Sequence, residues 1–310
     1  MIVKSDTALV SVVIPARDVQ DYIGDTIASL KAQTEGAFEC VVLDDGSRDG
    51  TAAVVAEAIR EDSRFALRQA PGQGVSAARN LGAGLTRAPY LLFLDADDLL
   101  AADALRRMID ALSGPHSRAP AALGRVGRID EAGRALPSND NTSLMPDREQ
   151  LDALLRKNFV VNGGALLMRR EAFEAAGAYD TTLAFGEDWE FWCRLCSLGD
   201  FGRVEGGPIL LYRQRASGAN HQAHGLDLRP GRSCLERISG NRVFRERYGR
   251  RLDWLLRARQ IDMFWSKVRN EYLHGRQSKA LYLAALGIAT YPDSVLRPTL
   301  ARRLLGSIRP

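Results

Sequence analysis

Three carboxylates stand directly after an uninterrupted apolar run in this chain. The run is Tyr-Leu-Leu-Phe-Leu at residues 90–94, and the carboxylates are Asp95, Asp97 and Asp98. Clustered carboxylates repel one another, so such a cluster usually binds a cation, and hard oxygen ligands suit Mg²⁺ or Mn²⁺. Because these ions commonly bridge to phosphates, the segment predicts a nucleotide-diphosphate site built around a divalent metal. The alternative is a solvated turn that binds nothing.

The elements before the carboxylates must place them at the edge of a sheet. An apolar run without polar alternation is typical of a strand buried on both faces, as in a parallel sheet. Further strands are predicted near residues 10–15, 38–43 and 65–68, with helices between them. The order β-α-β-α-β-α-β predicts a doubly wound α/β sheet. Ligands bind such sheets at the carboxyl ends of the strands, where the three carboxylates stand.

The pattern becomes less regular after Leu112. Residues 114–120 are typical of a linker, and residues 133–147 are rich in Gly, Pro, Ser, Asn and Asp, which predicts a mobile loop. Next come a predicted strand at 162–168, a short helix at 170–176 and an aromatic-rich helix at 185–195. A strand at 208–212 and a flexible loop at 217–230 follow. The remainder is predicted to be helical, with turns near Gly275 and Pro292.

The composition is that of an ordinary soluble globular protein, with 45% hydrophobic and 26% charged residues. No stretch approaches the roughly 18 apolar residues of a membrane span, and the first residues lack the apolar segment of a signal peptide. Four cysteines fit a reducing compartment, so we expect a cytoplasmic protein. Cys193 and Cys196 form a C-x-x-C, but their aromatic-rich helical surroundings favour small core residues over a zinc or redox site.

The net charge of +4 is unevenly distributed. Residues 229–310 hold 18 of the 42 basic residues but 6 of the 38 acidic ones, a balance of +12, against −8 in residues 1–228. The basic residues alternate with aromatic ones such as Phe244, Tyr248 and Trp254. Two interpretations stay open: helices that pack with a solvated basic face, or a peripheral surface for a membrane or a lipid-linked acceptor. Nucleic acid is not expected as a partner, because no recognisable nucleic-acid-binding motif is present.

Five short motifs follow one another along the chain. They are Val12-Val13-Ile14-Pro15, Asp44-Asp45-Gly46-Ser47, Ala77-Ala78-Arg79-Asn80, Leu94-Asp95-Ala96-Asp97-Asp98 and Gly186-Glu187-Asp188-Trp189. With them the chain resembles the family-2 inverting glycosyltransferases of the GT-A fold, over roughly residues 8–215. The resemblance implies a Rossmann-like mixed sheet flanked by helices. We expect a donor-binding half at 8–112, an acceptor-binding and catalytic half at 113–228, and a basic helical C-terminal extension at 229–310.

For the donor, the resemblance implies a nucleotide-diphosphate sugar held by strand-end residues. The residues implied are Pro15, Ala16 and Asp18 along the nucleotide, Asp44 and Asp45 at the ring N–H of a uracil-like base, Arg79 near the base and diphosphate, and Asp95 at the ribose or a metal-bound water. Relatives often carry Asn at the position of Asp18. The alternatives are a helix-capping role for Asp44 and Asp45 and a surface salt bridge for Arg79.

For the chemistry, the resemblance implies that Asp97 ligates Mn²⁺ or Mg²⁺, with Asp95 as a further candidate ligand, while the metal holds both phosphates. Asp188 is implied as the general base that takes a proton from the acceptor hydroxyl. Glu187 and Trp189 are candidate acceptor contacts. The alternatives are that both acids cap the helix, and that Trp189 lies in the core.

One position departs from the family pattern. Many relatives place a metal-ligating His two residues after an Arg that follows the last strand, whereas here Arg213 is followed by Gln214 and Arg215. Arg215 could bind the diphosphate directly but cannot ligate a metal. His221, with His224 as an alternative, is a candidate substitute ligand, although an isolated loop histidine is more often only solvated.

The sequence therefore predicts a metal-dependent inverting glycosyltransferase. Its expected acceptor is a glycan or a lipid-linked saccharide in cell-surface polysaccharide synthesis, and its expected location is cytoplasmic or on the inner face of the membrane. Two rivals stay open: a non-catalytic sugar-nucleotide-binding protein, which the Arg215 departure favours, and a nucleotidyltransferase. A nucleotidyltransferase usually has a Gly-rich phosphate loop after the first strand. This chain has Pro15-Ala16-Arg17-Asp18 there, without glycine, which argues against that rival.

Overall fold

The computed structural model describes residues 7–114, 117–138, 140–215, 231–273 and 275–292. Two compact units make up the chain. One comprises Met1–Leu154 with Asn158–Gly218, and the other comprises Leu155–Lys157 with Ala219–Pro310. Both predicted halves, 8–112 and 113–228, contribute mainly to the first unit.

Strands and helices alternate through the first half of the chain. In order, the described strands are β1 (Val10–Ala16), β2 (Phe38–Asp44), β3 (Phe65–Gln69), β4 (Tyr90–Phe93), β5 (Leu99–Leu100), β6 (Ala121–Leu123), β7 (Val126–Ile129), β8 (Ala135–Leu136), β9 (Leu166–Arg169), β10 (Gly202–Arg203) and β11 (Leu210–Arg213). The described helices are α1 (Ile23–Lys31), α2 (Thr51–Ile59), α3 (Val75–Leu85), α4 (Ala104–Ser113), α5 (Gln150–Arg156), α6 (Arg170–Ala176), α7 (Glu187–Ser197), α8 (Arg232–Gly240), α9 (Arg242–Tyr248), α10 (Arg250–Leu273) and α11 (Gln277–Thr290).

A seven-stranded mixed sheet forms the centre of the first unit, in the order β10-β6-β9-β4-β1-β2-β3. Strands β1 to β4 are parallel, with Val13 of β1 opposite Val41 of β2 and Phe93 of β4. Strand β9 runs antiparallel to both of its neighbours. The buried, unalternating strands β1, β2 and β4 are therefore the central parallel strands that their apolar composition predicts.

The central parallel strands all end at one edge of this sheet. The backbone N–H of Asp45, just beyond β2, donates to Ala16 O at the end of β1 over 2.9 Å, and Leu94 N, just beyond β4, donates to Val13 O over 3.0 Å. The carboxylates that follow β2 and β4 consequently emerge beside the loop that follows β1. The topology thus assembles the predicted donor-site residues at one place.

A second, four-stranded sheet has the order β5-β11-β7-β8. Strand β11 pairs antiparallel with β5 and parallel with β7. Since β5 begins at Leu99, directly after the Asp95–Asp98 turn, this pairing brings the end of β11, with Arg213 and Arg215, to that turn. Residues far apart in sequence meet there through the sheet.

An aromatic core lies between the central sheet and helix α7. The Tyr179 ring stacks on Phe191 with centroids 4.3 Å apart and meets Phe93 edge-on at 5.3 Å, and Phe173 packs against Phe93 and Phe191. Such aromatic pairs contribute about 0.5–1.5 kcal/mol each beyond the area they bury. This core joins the end of β4 to the first turns of α7, so it fixes two elements that carry site residues.

Three local predictions needed adjustment. The loop predicted at 133–147 contains β8 and a 3₁₀ helix, Asn141–Leu144, whose first turn is capped by the Asp140 side chain. The strand predicted from residue 162 begins at Leu166, because a 3₁₀ turn, Gly163–Ala165, precedes it.

The parallel arrangement predicted from the β-α-β order holds for β1 to β4, but β9 makes the sheet mixed, as the family resemblance implied. Helix α6 has the predicted bounds.

The described part of the second unit is helical. Phe264 of α10 packs against Leu283 and Tyr291 in a small core, and Gly287 faces the Phe264 ring so closely that a Cβ there would lie 2.4 Å from it. Of the helices that the structure describes, none is both long enough and apolar enough to traverse a bilayer.

Candidate active site

The loops after β1 and β2 are tied together at the outer end of the site. The Asp18 carboxylate accepts from Arg48 N over 2.7 Å, while Asp18 N donates to Ser47 Oγ over 3.1 Å. Asp18 has a φ of 50°, which Asp and Asn tolerate better than other side chains. This explains why Asn suits the same position. Pro15 is half-buried and Ala16 buried at the end of β1, just before this loop.

Asp44 and Asp45 are both buried but differ in their hydrogen bonds. Asp44 is satisfied, since Oδ1 accepts from Ser47 N and Oδ2 from Gln69 Nε2. Although burial opposes it, hydrogen bonding to Ser47 and Gln69 lowers the pKa of Asp44 below its ordinary value. In Asp45, Oδ2 accepts from Gly74 N over 2.8 Å, but Oδ1 is buried without a hydrogen-bond partner. A buried acceptor left unpaired costs about 1–3 kcal/mol, so Asp45 Oδ1 is suited to accept a hydrogen bond from a ligand.

The Arg79 guanidinium is the centre of the site. Its Nη1 lies 2.6 Å from Asp188 Oδ1 and 3.7 Å from Glu187 Oε1, and its Nη2 lies 2.9 Å from Asp95 Oδ1. The Arg79 side chain is only 5% exposed, so the predicted alternative of a surface salt bridge is wrong. Although burial opposes it, Asp188 and Asp95 raise the pKa of Arg79. One cation thus joins the strand-end carboxylate to Glu187 and Asp188 of α7.

The residue after Arg79 holds this arrangement in place. Asn80 Nδ2 donates to Tyr179 O, and Tyr179 N donates back to Asn80 Oδ1, each over 2.9 Å. The Tyr179 ring, held between Phe93 and Phe191, also lies 5.2 Å from the Arg79 guanidinium carbon. No motif in the sequence pointed to Tyr179. The structure explains the adjacent Arg79 and Asn80 of the third motif: Arg79 pairs with the carboxylates, and Asn80 anchors the Tyr179 backbone.

Asp188 lies in the first turn of α7. The helix is preceded by Gly186, whose φ of 80° is the left-handed conformation that glycine adopts without strain. Burial raises the pKa of Asp188 to about 7, with Glu187 and Asp95 adding to the rise and Arg79 opposing it. Its side chain nevertheless keeps 31% exposure. A carboxylate that titrates near neutral pH and stays accessible has the properties of a general base.

The turn after β4 is held by a residue that sequence reasoning missed. Asn162 Nδ2 donates to Asp98 Oδ2 over 2.7 Å and to Asp95 Oδ2 over 3.2 Å. Asp98 is fully buried, accepts from Arg213 N at Oδ1, and has a pKa raised well above its ordinary value by burial and the neighbouring Asp95 and Asp97. Asp98 therefore ties β4 to β11 and does not cap a helix. The only sequence signal for Asn162 was its place before two glycines.

Asp97 and Arg215 form a close ion pair. Arg215 Nε lies 2.6 Å from Asp97 Oδ2, with the two side chains 19% and 14% exposed. Burial and Asp95 raise the pKa of Asp97, while Arg215 opposes that rise. Arg213 lies beside them: its Nε donates to Asp97 O, and its guanidinium, like that of Arg215, lies 5.2 Å from the Tyr22 ring centre.

The predicted metal ligands do not form a prepared cation site. Asp95 is paired with Arg79 and Asp97 with Arg215, so guanidinium groups already hold the carboxylates that a cation would need. Within the described residues, no group of three or more His, Cys, Asp or Glu side chains is placed to hold a metal ion. His221 and His224 lie outside the described residues. As their side chains are arranged, Asp95 and Asp97 therefore do not fit a divalent metal ion.

Trp189, a candidate acceptor contact, lies in the core. It is 4% exposed, and its indole Nε1 donates to Leu154 O over 2.8 Å. This placement corresponds to the core alternative and leaves no ring face for a sugar. Glu187, the other candidate, keeps 17% side-chain exposure beside Asp188.

The chain matches the family model described as Glycosyl transferase family 2 over residues 11–177, more than half of its length. Among curated relatives, it is 32% identical over 169 residues to the putative teichuronic acid biosynthesis glycosyltransferase TuaG of Bacillus subtilis (strain 168), a match covering 53% of this chain and 63% of TuaG. Matched regions span between 31% and 54% of the first three relatives' own lengths.

Two solved structures share the fold. S. aureus TarS 1–349 in complex with UDP-GlcNAc has a TM-score of 0.65 and 18% identity, with 96% of this chain and 87% of that chain covered. The mannosyltransferase PcManGT from Pyrobaculum calidifontis, in complex with GDP-Man and Mn²⁺, has a TM-score of 0.56 and 17% identity, with coverage of 96% and 79%. At these identities, the likeness shows a common fold, which is the GT-A fold that the motifs predicted.

Proposed function

Because this chain belongs to glycosyl transferase family 2, we propose that it transfers a sugar, with inversion, from a nucleotide-diphosphate donor to a hydroxyl of a glycan or lipid-linked acceptor. The observation that carries the proposal is the bridge made by Arg79. It holds Asp188, the candidate base, and Asp95, the strand-end carboxylate, on one guanidinium group. Donor binding is thereby assigned to residues 8–112, and acceptor binding and proton transfer to residues 113–228.

The proposed reaction is a single displacement. Asp188 accepts the proton of the acceptor hydroxyl, whose oxygen bonds to C1 of the sugar as the bond from C1 to the diphosphate oxygen breaks. The nucleoside diphosphate leaves with the bonding electron pair. Since attack comes from the face opposite the leaving group, the configuration at C1 inverts. Arg79 orients Asp188, and Glu187 contacts the acceptor beside it.

The nucleotide base is assigned to Asp45. Asp44 has both carboxylate oxygens engaged, whereas Asp45 Oδ1 is buried and without a partner. A ring N–H, as in uracil, would satisfy that oxygen. The proposed donor is for this reason a nucleotide whose base presents an N–H, with Pro15, Ala16 and Asp18 along its edge.

The proposed activity is tested by donor binding and product analysis. UDP-, GDP- and dTDP-sugars are screened for thermal stabilisation, and one class is expected to raise Tm. A ligand at about 100 times its Kd stabilises by about 2.7 kcal/mol, or roughly 5–10 °C for a unit of about 200 residues. Asp45→Asn is expected to abolish the rise, whereas Asp103→Asn, an exposed carboxylate paired with Arg107, keeps it.

The products separate this proposal from its rivals. A transferase releases free nucleoside diphosphate, a nucleotidyltransferase releases pyrophosphate, and a sugar-nucleotide sensor releases neither. Pyrophosphate, or donor binding without turnover on any glycan or lipid-linked acceptor supplied, would count against a transferase. The acceptor class is supported by the teichuronic acid description of TuaG.

The partner of the second unit is proposed to be an anionic membrane surface. Helix α11 buries Leu283 and Gly287 against α10, yet its other side leaves Leu281, Tyr282 and Ile288 exposed at 70%, 58% and 50%. Large exposed apolar patches mark interaction surfaces. Because residues 229–310 carry a balance of +12, an apolar helix face in this region suits a bilayer with acidic headgroups.

Vesicle binding tests this surface. The protein is expected to co-sediment with vesicles containing phosphatidylglycerol, less so at high salt, and only weakly with phosphatidylcholine alone. Replacing Leu281, Tyr282 and Ile288 by Ser should abolish co-sedimentation without changing donor stabilisation. The control is Leu198→Ser, a leucine of similar exposure at 47% in the first unit. If the serine variant instead dissociates a dimer and vesicle binding is absent, a second copy covers this face and the membrane assignment is wrong.

A further inference from the structure

The Asp97–Arg215 ion pair stands where the family pattern places a metal and its histidine ligand. Both side chains are more than 80% buried, and Arg215 Nε lies 2.6 Å from Asp97 Oδ2. Arg215 also lies 5.2 Å from the Tyr22 ring, which limits where its guanidinium can lie. A positive charge is thus already fixed at the end of β11, beside the second carboxylate of the D-x-D segment.

A divalent cation at Asp97 would meet this charge at short range. Like charges a few ångströms apart repel strongly where water is largely excluded. A metal ion and Arg215 therefore compete for Asp97. A guanidinium also has the planar fork of N–H donors that matches phosphate oxygens, and the Arg215 atom that lies 2.6 Å from Asp97 Oδ2 is Nε.

We propose that Arg215 is itself the cation of the donor site: it neutralises Asp97 before the donor binds and the diphosphate afterwards, so that nucleotide binding needs no divalent metal. This inference rests on the proposed function and replaces the metal dependence predicted from the sequence. Arg215 is then positioned to stabilise the negative charge that develops on the departing nucleoside diphosphate. The histidine seen in many relatives and the arginine in this chain would be two solutions to one electrostatic requirement.

Nucleotide binding with and without metal tests the inference. UDP and GDP are titrated by calorimetry into the full chain in EDTA and in Mn²⁺. The wild type is expected to bind one of them with a Kd that differs by less than about threefold between the two conditions. Loss of a charge-assisted contact costs about tenfold or more in Kd, so Arg215→Gln should weaken binding in both.

The sharpest variant is Arg215→His, which introduces the histidine of many relatives. It is expected to bind nucleotide weakly in EDTA and to regain binding in Mn²⁺, an exchange of cation that a merely structural role for Arg215 would not produce. Arg60→Gln is the matched control, because Arg60 is an exposed arginine of the same unit whose guanidinium pairs with the exposed Glu57. Circular dichroism verifies that each variant is folded.

Two results would overturn the inference. If the wild type binds nucleotide at least about tenfold more tightly in Mn²⁺ than in EDTA, the metal and not Arg215 is the required cation, and the proposed transferase function stands. If Arg215→Gln binds as the wild type does, Arg215 does not contact the diphosphate. Failure of every nucleotide to bind in either condition would instead remove the donor site and the proposed function with it.

Discussion

Asp188→Asn is expected to reduce sugar transfer by about three orders of magnitude while leaving donor binding within about twofold of the wild type. The amide keeps the shape of the side chain but cannot accept the acceptor proton. The proposed donor contacts are Asp45 and Arg215, which stand at other strand ends, so we do not expect the substitution to disturb them. The measurement is initial transfer rate at saturating donor, with donor affinity measured separately by calorimetry.

The same substitution should not destabilise the protein. Asp188 has a folded-state pKa of about 7, raised by burial from an ordinary value of 3.8. A carboxyl with a raised pKa binds its proton more tightly when folded, so its contribution to stability falls as pH rises from about 4 to 7. A neutral amide avoids that loss. Unchanged or increased Tm at pH 8, together with lost turnover, is the signature expected of a base and not of a structural residue.

The dependence of the transfer rate on pH tests independently whether Asp188 is the general base. Only the ionised carboxylate can take the proton, so the wild-type rate is expected to rise with pH and to reach half its maximum near pH 7. Glu187 raises the pKa of Asp188, so Glu187→Gln should move the half-maximum to lower pH. Normal turnover by Asp188→Asn, or an acid limb unaffected by Glu187→Gln, would show that another group removes the proton.

The residues that were predictable from the sequence are those whose role follows from local pattern. Asp45, Asp95 and Asp97 each stand at the end of an apolar strand, and the parallel order of those strands brings them to one edge. Local pattern also predicted α6 with its observed bounds, and it predicted α7 with a start two residues too early. No partner across the fold is needed for any of these inferences.

What the sequence could not supply is the pairing of distant side chains. Arg79 and Asp188 are 109 positions apart, and Asn162 is 67 positions from Asp95. Helical spacing likewise did not decide whether Trp189 contacts the acceptor or lies in the core. Which face of a helix is buried depends on the elements that pack against it. The Arg215 departure was visible in the sequence, but its pairing with Asp97 became visible only in the structure.

Removing the Arg79 charge should have the second large effect. In Arg79→Met, Asp95 and Asp188 lose their shared cation in a site where Arg79 is 5% exposed. Breaking a buried ion pair from one side costs about 3–5 kcal/mol. The carboxylates here are about one-third exposed, so the lower end applies, about 3 kcal/mol or a Tm decrease of roughly 6–12 °C. We expect turnover to be lost as well, since Asp188 is no longer oriented.

Arg79→Lys separates orientation from charge. A lysine keeps the positive charge, so most of the stability should be retained, but one ammonium cannot span Asp95 and Asp188 as the planar guanidinium does. Transfer should therefore fall about 100-fold with only a small change in Tm. The matched control is Arg64→Met, which breaks a partly buried pair with Asp62 just before β3, at the opposite end of the strands from the site. It is expected to lower Tm but to keep transfer per folded molecule. Full activity in Arg79→Lys would mean that Arg79 supplies charge alone, and the bridge that carries the proposed function would lose its catalytic meaning.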